Sequence, residues 1–188
     1  MRSFLYSLIL LLFFANSNAQ KTPGKLQFSA INSIGLLVGD RGEAFAVQTI
    51  PGLTFKQWFA GVGTGLDFYE KRTIPLFFDI RQNLFKTANT PYLYVDAGTS
   101  FVWNKAENIF NQQDRSTIPR FNYETGIGYK LSVNNKTAMI FSAGYSYKQI
   151  EEKYKTFLWL PILMTSIQGD ERYQAIYRRI VIRLGLQL

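Results

Sequence analysis

Cysteine and histidine are both absent from the 188-residue chain. Without cysteine this is not a disulfide-stapled secreted scaffold, so closure, packing or a membrane must hold the fold. Without histidine, serine-histidine hydrolase triads, histidine-ligated zinc and histidine general bases are excluded. A second long apolar run is also missing. Mean hydropathy is −0.06 although 47% of residues are hydrophobic, so beyond the N-terminus the apolar residues alternate with polar ones. That is the arrangement expected of strands with one apolar face.

What is present begins with Met1 to Ala19: one basic residue (Arg2), an apolar stretch from Phe4 to Phe14, and small residues at Ser17 and Ala19. The pattern is that of a secretory signal peptide, residues 1–19, cleaved before Gln20. The apolar stretch is about half of the ~20 residues a spanning helix needs. Residues 20–188 then form one domain, and losing Arg2 takes the formal charge from +8 to +7.

Gln57 to Phe85 is the most informative stretch. Trp58, Ala60, Val62, Thr64, Leu66 and Phe68 share one face, while Phe59, Gly61, Gly63, Gly65, Asp67 and Tyr69 share the other. After Glu70-Lys71-Arg72 the alternation resumes, with Ile74, Leu76, Phe78 and Ile80 opposite Phe77, Asp79 and Arg81. Gly61-x-Gly63-x-Gly65 lies inside a strand, which argues against a phosphate-cradling loop. The same period-2 pattern predicts a first strand over Lys25 to Gly39 and a short second one over Glu43 to Thr49, ending at a Pro51-Gly52 turn. Further strands are predicted over Tyr92 to Trp103, Arg120 to Val133, from the Asn134-Asn135 turn to about Ile150, and over Tyr173 to Leu188. The count is eight. With the mature N-terminus on one side, the long polar connections 104–119 and 151–172 fall on the opposite side, and the turns on the N-terminal side are short. The expectation is an all-β, eight-stranded antiparallel up-and-down transmembrane β-barrel, with short periplasmic turns and two longer extracellular loops.

Glycine decides which face is outside. Gly61, Gly63, Gly65, Gly98, Gly126, Gly128, Gly144 and Gly185 all share the polar face. They suit the interior of a narrow barrel, where eight strands leave just enough room for side chains. The same face carries Asp67, Asp79, Asp96 and Glu124 with Arg81, Lys130, Arg179 and Arg183. These are expected to fill the lumen as an ion-pair network, because isolated buried charges are costly. The alternative for these carboxylates, an acid/base pair, is weaker because they sit among Arg and Lys. Trp58, Phe68, Tyr69, Tyr92, Trp103, Tyr145, Tyr147, Tyr173 and Tyr177 are placed near strand ends, as interfacial girdles would be.

The glycine-rich GVGTGLDFYEKRTIPLF hairpin, the TPYLYVDAGTSFVW strand and the terminal RLGLQL together resemble small eight-stranded Gram-negative outer-membrane β-barrel proteins, the OmpA-barrel and OmpX-like class. Arg183, Gly185, Leu186 and Leu188 are similar to the C-terminal assembly signal of that class, with leucine in place of the usual terminal aromatic. The resemblance implies location in the cell outer membrane, contact with outer-membrane lipid and lipopolysaccharide, and delivery by the outer-membrane assembly machinery. It implies little about activity.

Phe157, Leu158, Trp159, Leu160, Ile162 and Leu163 make an apolar segment in the longest external connection. It is either a patch for an unknown surface partner or a packed part of the barrel mouth. The excess lysine and arginine are scattered, with no basic stripe, so anionic lipid headgroups are the expected partner and nucleic acid is not. The function expected is non-enzymatic and needs no cofactor, catalytic residue or metal: a barrel with a plugged, ion-paired lumen that serves envelope structure or presents its loops. Three alternatives stay open. They are a lipid-modifying outer-membrane enzyme without the histidine such sites use, a secreted soluble lipocalin-like binder, and a small pore.

Overall fold

Eight strands form, each pairs antiparallel with its sequence neighbour, and β8 returns to pair with β1, closing a barrel. The computed structural model describes residues 26–103, 114–134, 137–160 and 165–188. The expected signal peptide lies outside these residues. The strands are β1 (Gln27–Gly39), β2 (Gly42–Phe55), β3 (Trp58–Asp67), β4 (Thr73–Asn83), β5 (Thr90–Val102), β6 (Asp114–Ser132), β7 (Ala138–Leu160) and β8 (Thr165–Gln187). Closure runs from Ile31↔Gln187 to Gly39↔Arg179. It is finished by reciprocal backbone bonds between Ala30 and Leu188, 3.0 and 2.9 Å. The C-terminal residues Gly185 and Leu186 thus form the seam, opposite Ser33 and Asn32.

The alternation read from sequence sorts the two faces. Phe28, Phe45, Phe78, Ile80, Val95, Ile127, Ile180 and Ile182 point outward and are exposed, while Ser33, Gln48, Asp79, Arg81, Asp96, Glu124 and Arg179 are buried inside. Glycines admit the larger interior side chains. Gly128 lies opposite Tyr92 in the β5/β6 register, and a Cβ there would meet the Tyr92 ring and the Phe141 carbonyl. Gly128→Val is therefore expected to cost about 1–3 kcal/mol by overpacking. A urea midpoint indistinguishable from that of the wild type would contradict this.

Three expectations are corrected. The second strand is not short: β2 continues through Pro51-Gly52 to Phe55, and the chain turns at Lys56, whose φ is 55°. Proline lacks only its N–H, so Pro51 keeps its place opposite Ala30 in β1, while on the β3 side the pairing passes from Thr49↔Thr64 to Gly52↔Gly61. Secondly, the described parts of the long connections, 114–119, 151–160 and 165–172, are strand. β7 and β8 pair without interruption from Ala138↔Gln187 to Leu160↔Thr165, and β6 joins them from Asp114↔Lys155, with an irregularity between Pro119 and Asn122. Residues 151–160 read as a loop because Glu151, Glu152, Lys153 and Lys155 break the apolar alternation and an unbroken apolar run follows from Phe157 to Leu160, so neither half shows period 2. Thirdly, Tyr69, Tyr92 and Tyr177 are not girdle residues. Each is no more than 3% exposed, inside the lumen, whereas Trp58, Phe68, Trp103, Tyr145 and Tyr173 do face outward.

β8 has β1 as a neighbour only from Arg179 onward, and β5 reaches β6 only as far as Phe121. Beyond those points β6, β7 and β8 project as a three-stranded sheet at the end opposite the termini. Its open edges would be templates for foreign strands, and they carry devices that blunt such edges. Pro119 stands on the β6 edge, and the exposed Arg172 lies on β8.

Candidate functional site

The lumen is built as an ionic belt between two apolar layers. Near the termini, Ile31, Ile50, Phe59, Phe77, Tyr92, Tyr94 and Ile140 pack together. Towards the projecting sheet, Leu37, Ala46, Tyr69, Ile150, Ala175, Tyr177 and Val181 form the second layer. Interior side chains of opposite strands meet because eight strands enclose so little space.

Within the belt, Asp79, Asp96 and Glu124 are direct neighbours on β4, β5 and β6. Three adjacent carboxylates would repel one another without cations. Arg81 donates to both oxygens of Asp79, at 2.8–3.0 Å, with its guanidinium 5.5 Å from the Tyr92 and Tyr94 ring centres. Arg183 grips Glu124 with both terminal nitrogens, and the Tyr94 hydroxyl donates to the same carboxylate at 2.9 Å. Asp96 stands between these pairs and makes no salt bridge among the described residues. Higher in the barrel, Asp67 receives Lys148 at 2.8 Å and Arg179 at 2.7 Å. Lys148 also donates to Thr73 Oγ1 at 2.6 Å, and the Tyr69 amide donates to Asp67 at 2.9 Å. Lys71 pairs with Glu152 at the mouth, 2.5 Å.

Of the eight charged residues singled out from sequence, Asp67 and Arg179, Asp79 and Arg81, and Glu124 and Arg183 are brought together in pairs. Lys130 is not in the network. It lies opposite Thr90, close to the β6/β7 turn, so its side chain sits below the lower apolar layer, among the residues of the terminal mouth. Lys148 and Glu152 were missed, although both continue the inward phase of Ser142, Gly144 and Ser146. Lys148 falls within the strand expected to about Ile150, and Glu152 lies just beyond it. Phe157, Leu158, Trp159 and Leu160 end strand β7, and Ile162 and Leu163 lie outside the described residues.

Between the layers lies a chamber of about 50 Å³, lined by residues that include Gln48, Asp96, Asn122, Arg179 and Arg183. Gln48 Nε2, Asp96 Oδ1, Asn122 Oδ1, Arg179 Nε and Arg183 Nε are buried with no protein partner. Three donors and two acceptors around one space suit water, which does both, better than an ion of either sign. At about 10–15 Å³ each, three or four waters would fit. A closed antiparallel eight-stranded barrel, apolar outside and charged inside, decides the architecture.

The fold is that of a small outer-membrane β-barrel. It is similar to the crystal structure of the outer membrane protein OprG from Pseudomonas aeruginosa, with a TM-score of 0.59 at 7% sequence identity, covering 89% of this chain and 98% of that one. It is also similar to the crystal structure of Neisserial surface protein A, with a TM-score of 0.50 at 12% identity, covering 87% of this chain and 96% of that one. At such identities the likeness is one of fold. No protein-family model matches the chain, and neither does any curated protein sequence.

Proposed function

We propose that this chain is an integral, non-enzymatic protein of the outer membrane, a closed barrel whose working surface is the sheet projecting from β6, β7 and β8. The observation that carries this reading is the plugged lumen: an ion-paired belt between two apolar layers, inside a barrel whose outward face is apolar. A lipocalin-like binder would need the opposite arrangement, with the apolar face lining a cavity. Apolar side chains outside and charged ones inside match a barrel that meets lipid.

The pore alternative makes the reading testable. A solute path would have to cross both layers, including the fully buried Ile50 and Val181. Reconstituted into planar bilayers, the protein is expected to give no sustained single-channel steps. Steady conductance from well-folded protein would sink the closed-barrel reading. Cell fractionation tests location separately: the mature chain should stay with the outer membrane after a salt wash, and recovery as soluble periplasmic protein would refute the membrane assignment.

A further inference from the structure

At the end of the barrel that carries the chain termini, the lumen opens into a bowl of about 750 Å³. Three lysines, Lys56, Lys86 and Lys130, line it, with the amides of Gln57 and Asn83 and the hydroxyl of Thr54 among them. No Asp or Glu is on the lining. This imbalance extends to the whole end of the barrel. Among the described residues, 26–30, 53–60, 82–92, 129–134, 137–140 and 184–188 contain no Asp and no Glu, although the chain has 13 acids. They contain no Arg either, so every basic side chain there is a lysine. At the opposite end, by contrast, cations are paired: Arg41 with Glu70, Lys71 with Glu152 and Arg120 with Glu151.

We propose that this bowl binds a phosphate-bearing ligand through Lys56, Lys86 and Lys130. Lys86 and Lys130 bring two like charges to one concavity whose lining has no Asp or Glu. Lys56 stands at its rim with its ammonium over the Phe55 ring, 5.2 Å from the centre. An anion entering the bowl relieves the mutual repulsion of these lysines. Arginine recognises carboxylates and phosphates alike through its planar fork, while lysine binds phosphate as a compact point charge, so a lysine-only lining suits a multiply charged, non-planar anion such as a phosphate. The volume lies within the range of small-molecule sites, and the amides and hydroxyl supply further donors. Thr54 Oγ1 is buried there with no protein partner. The ligand is either a free phosphorylated solute or the headgroup of a phospholipid in the adjoining leaflet. Its chemistry is the same in both cases, and the site does not depend on which compartment the bowl faces.

The test is lysine acetylation read by mass spectrometry on the folded barrel, with sn-glycerol 3-phosphate added in uncharged detergent, and separately in nanodiscs of phosphatidylglycerol or phosphatidylcholine. Lys86 and Lys130 should be acetylated at least about fivefold more slowly when the site is filled, with Lys71 at the far end unchanged. Protection by glycerol 3-phosphate identifies a free solute, and protection only in phosphatidylglycerol identifies a headgroup. Either result supports the site. In calorimetric titration with whichever probe protects, the variant K56Q/K86Q/K130Q should bind about 100-fold more weakly, since each lysine near an anion contributes about fivefold. All three positions are at the rim or turn, and the variant should still run as folded barrel on an unheated gel. Absence of protection by both probes, equal protection of Lys71, or unchanged affinity in the folded triple variant would overturn the proposal.

Discussion

Replacing Asp67 with alanine is expected to destabilise the folded barrel by about 3–5 kcal/mol, because it orphans two buried cations at once. Lys148 is 0% exposed and Arg179 is 5% exposed. The carboxylate is the only acid that either of them contacts among the described residues. Its loss also strands the Tyr69 amide that donates to Asp67. The two cations are not equally stranded. Arg179 keeps the Ser146 hydroxyl at 2.8 Å and the Tyr69 ring, 5.3 Å from its guanidinium. Lys148 keeps only Thr73 and the more distant Tyr177 ring. The double variant D67A/K148M should therefore recover a large part of the loss, since a methionine of similar length leaves no buried ammonium to satisfy. Urea unfolding in lipid vesicles, followed by tryptophan fluorescence, measures both. A single-variant cost under about 1 kcal/mol, the scale of an exposed pair, would show that water reaches these groups and that the lumen is open.

That prediction rests on a pair the sequence half revealed. Asp67 declares itself by its place on the glycine face; Lys148 shares the inward phase of Ser142, Gly144 and Ser146, but a lysine two residues from the expected end of its strand reads equally well as a solvated one. Period-2 alternation is readable while a strand crosses lipid, because one face must be apolar there. Once the strand leaves the membrane both faces can be polar, and β7 from Glu151 to Leu160 loses the signal without losing the hydrogen bonds. The two apolar layers of the lumen were hidden for the opposite reason. Ile31, Leu37 and Ile50 are apolar residues on the polar face, a detail that a face-by-face reading averages away. The buried tyrosines illustrate a third limit: closeness to a strand end gives depth, and phase gives the side. Tyr92 and Tyr177 satisfied the first criterion and failed the second.

The partition of the charges follows from the same geometry. Lumen acids and bases neutralise each other, and at the far mouth Arg41, Lys71 and Arg120 are each paired with an acid. The lysines of the terminal bowl have no such partners on their own end of the chain. A barrel could be closed and stable without that asymmetry, so it is better explained by what the bowl meets than by how the barrel folds.

Whether the apolar face meets lipid is decided by placing a charge on it. Phe78 is 70% exposed near the middle of β4, surrounded by Val62, Ile80 and Val95. In water, Phe78→Arg at so open a position would change stability by no more than about 0.5 kcal/mol. In a bilayer, an arginine near the midplane of the lipid face costs about 2–4 kcal/mol, falling to about 0–1 near the interface. Phe28, 68% exposed at the terminal end of β1, supplies the comparison. Phe28→Arg should cost about 0–1 kcal/mol, because its guanidinium can reach the headgroups. Equal and small effects at the two positions, in protein refolded into vesicles, would mean that the exposed apolar belt is not buried in hydrocarbon. A cost that rises from Phe28 to Phe78 has no source in the protein's own packing, since both side chains are exposed to the same degree. Only the depth of the surrounding lipid distinguishes them.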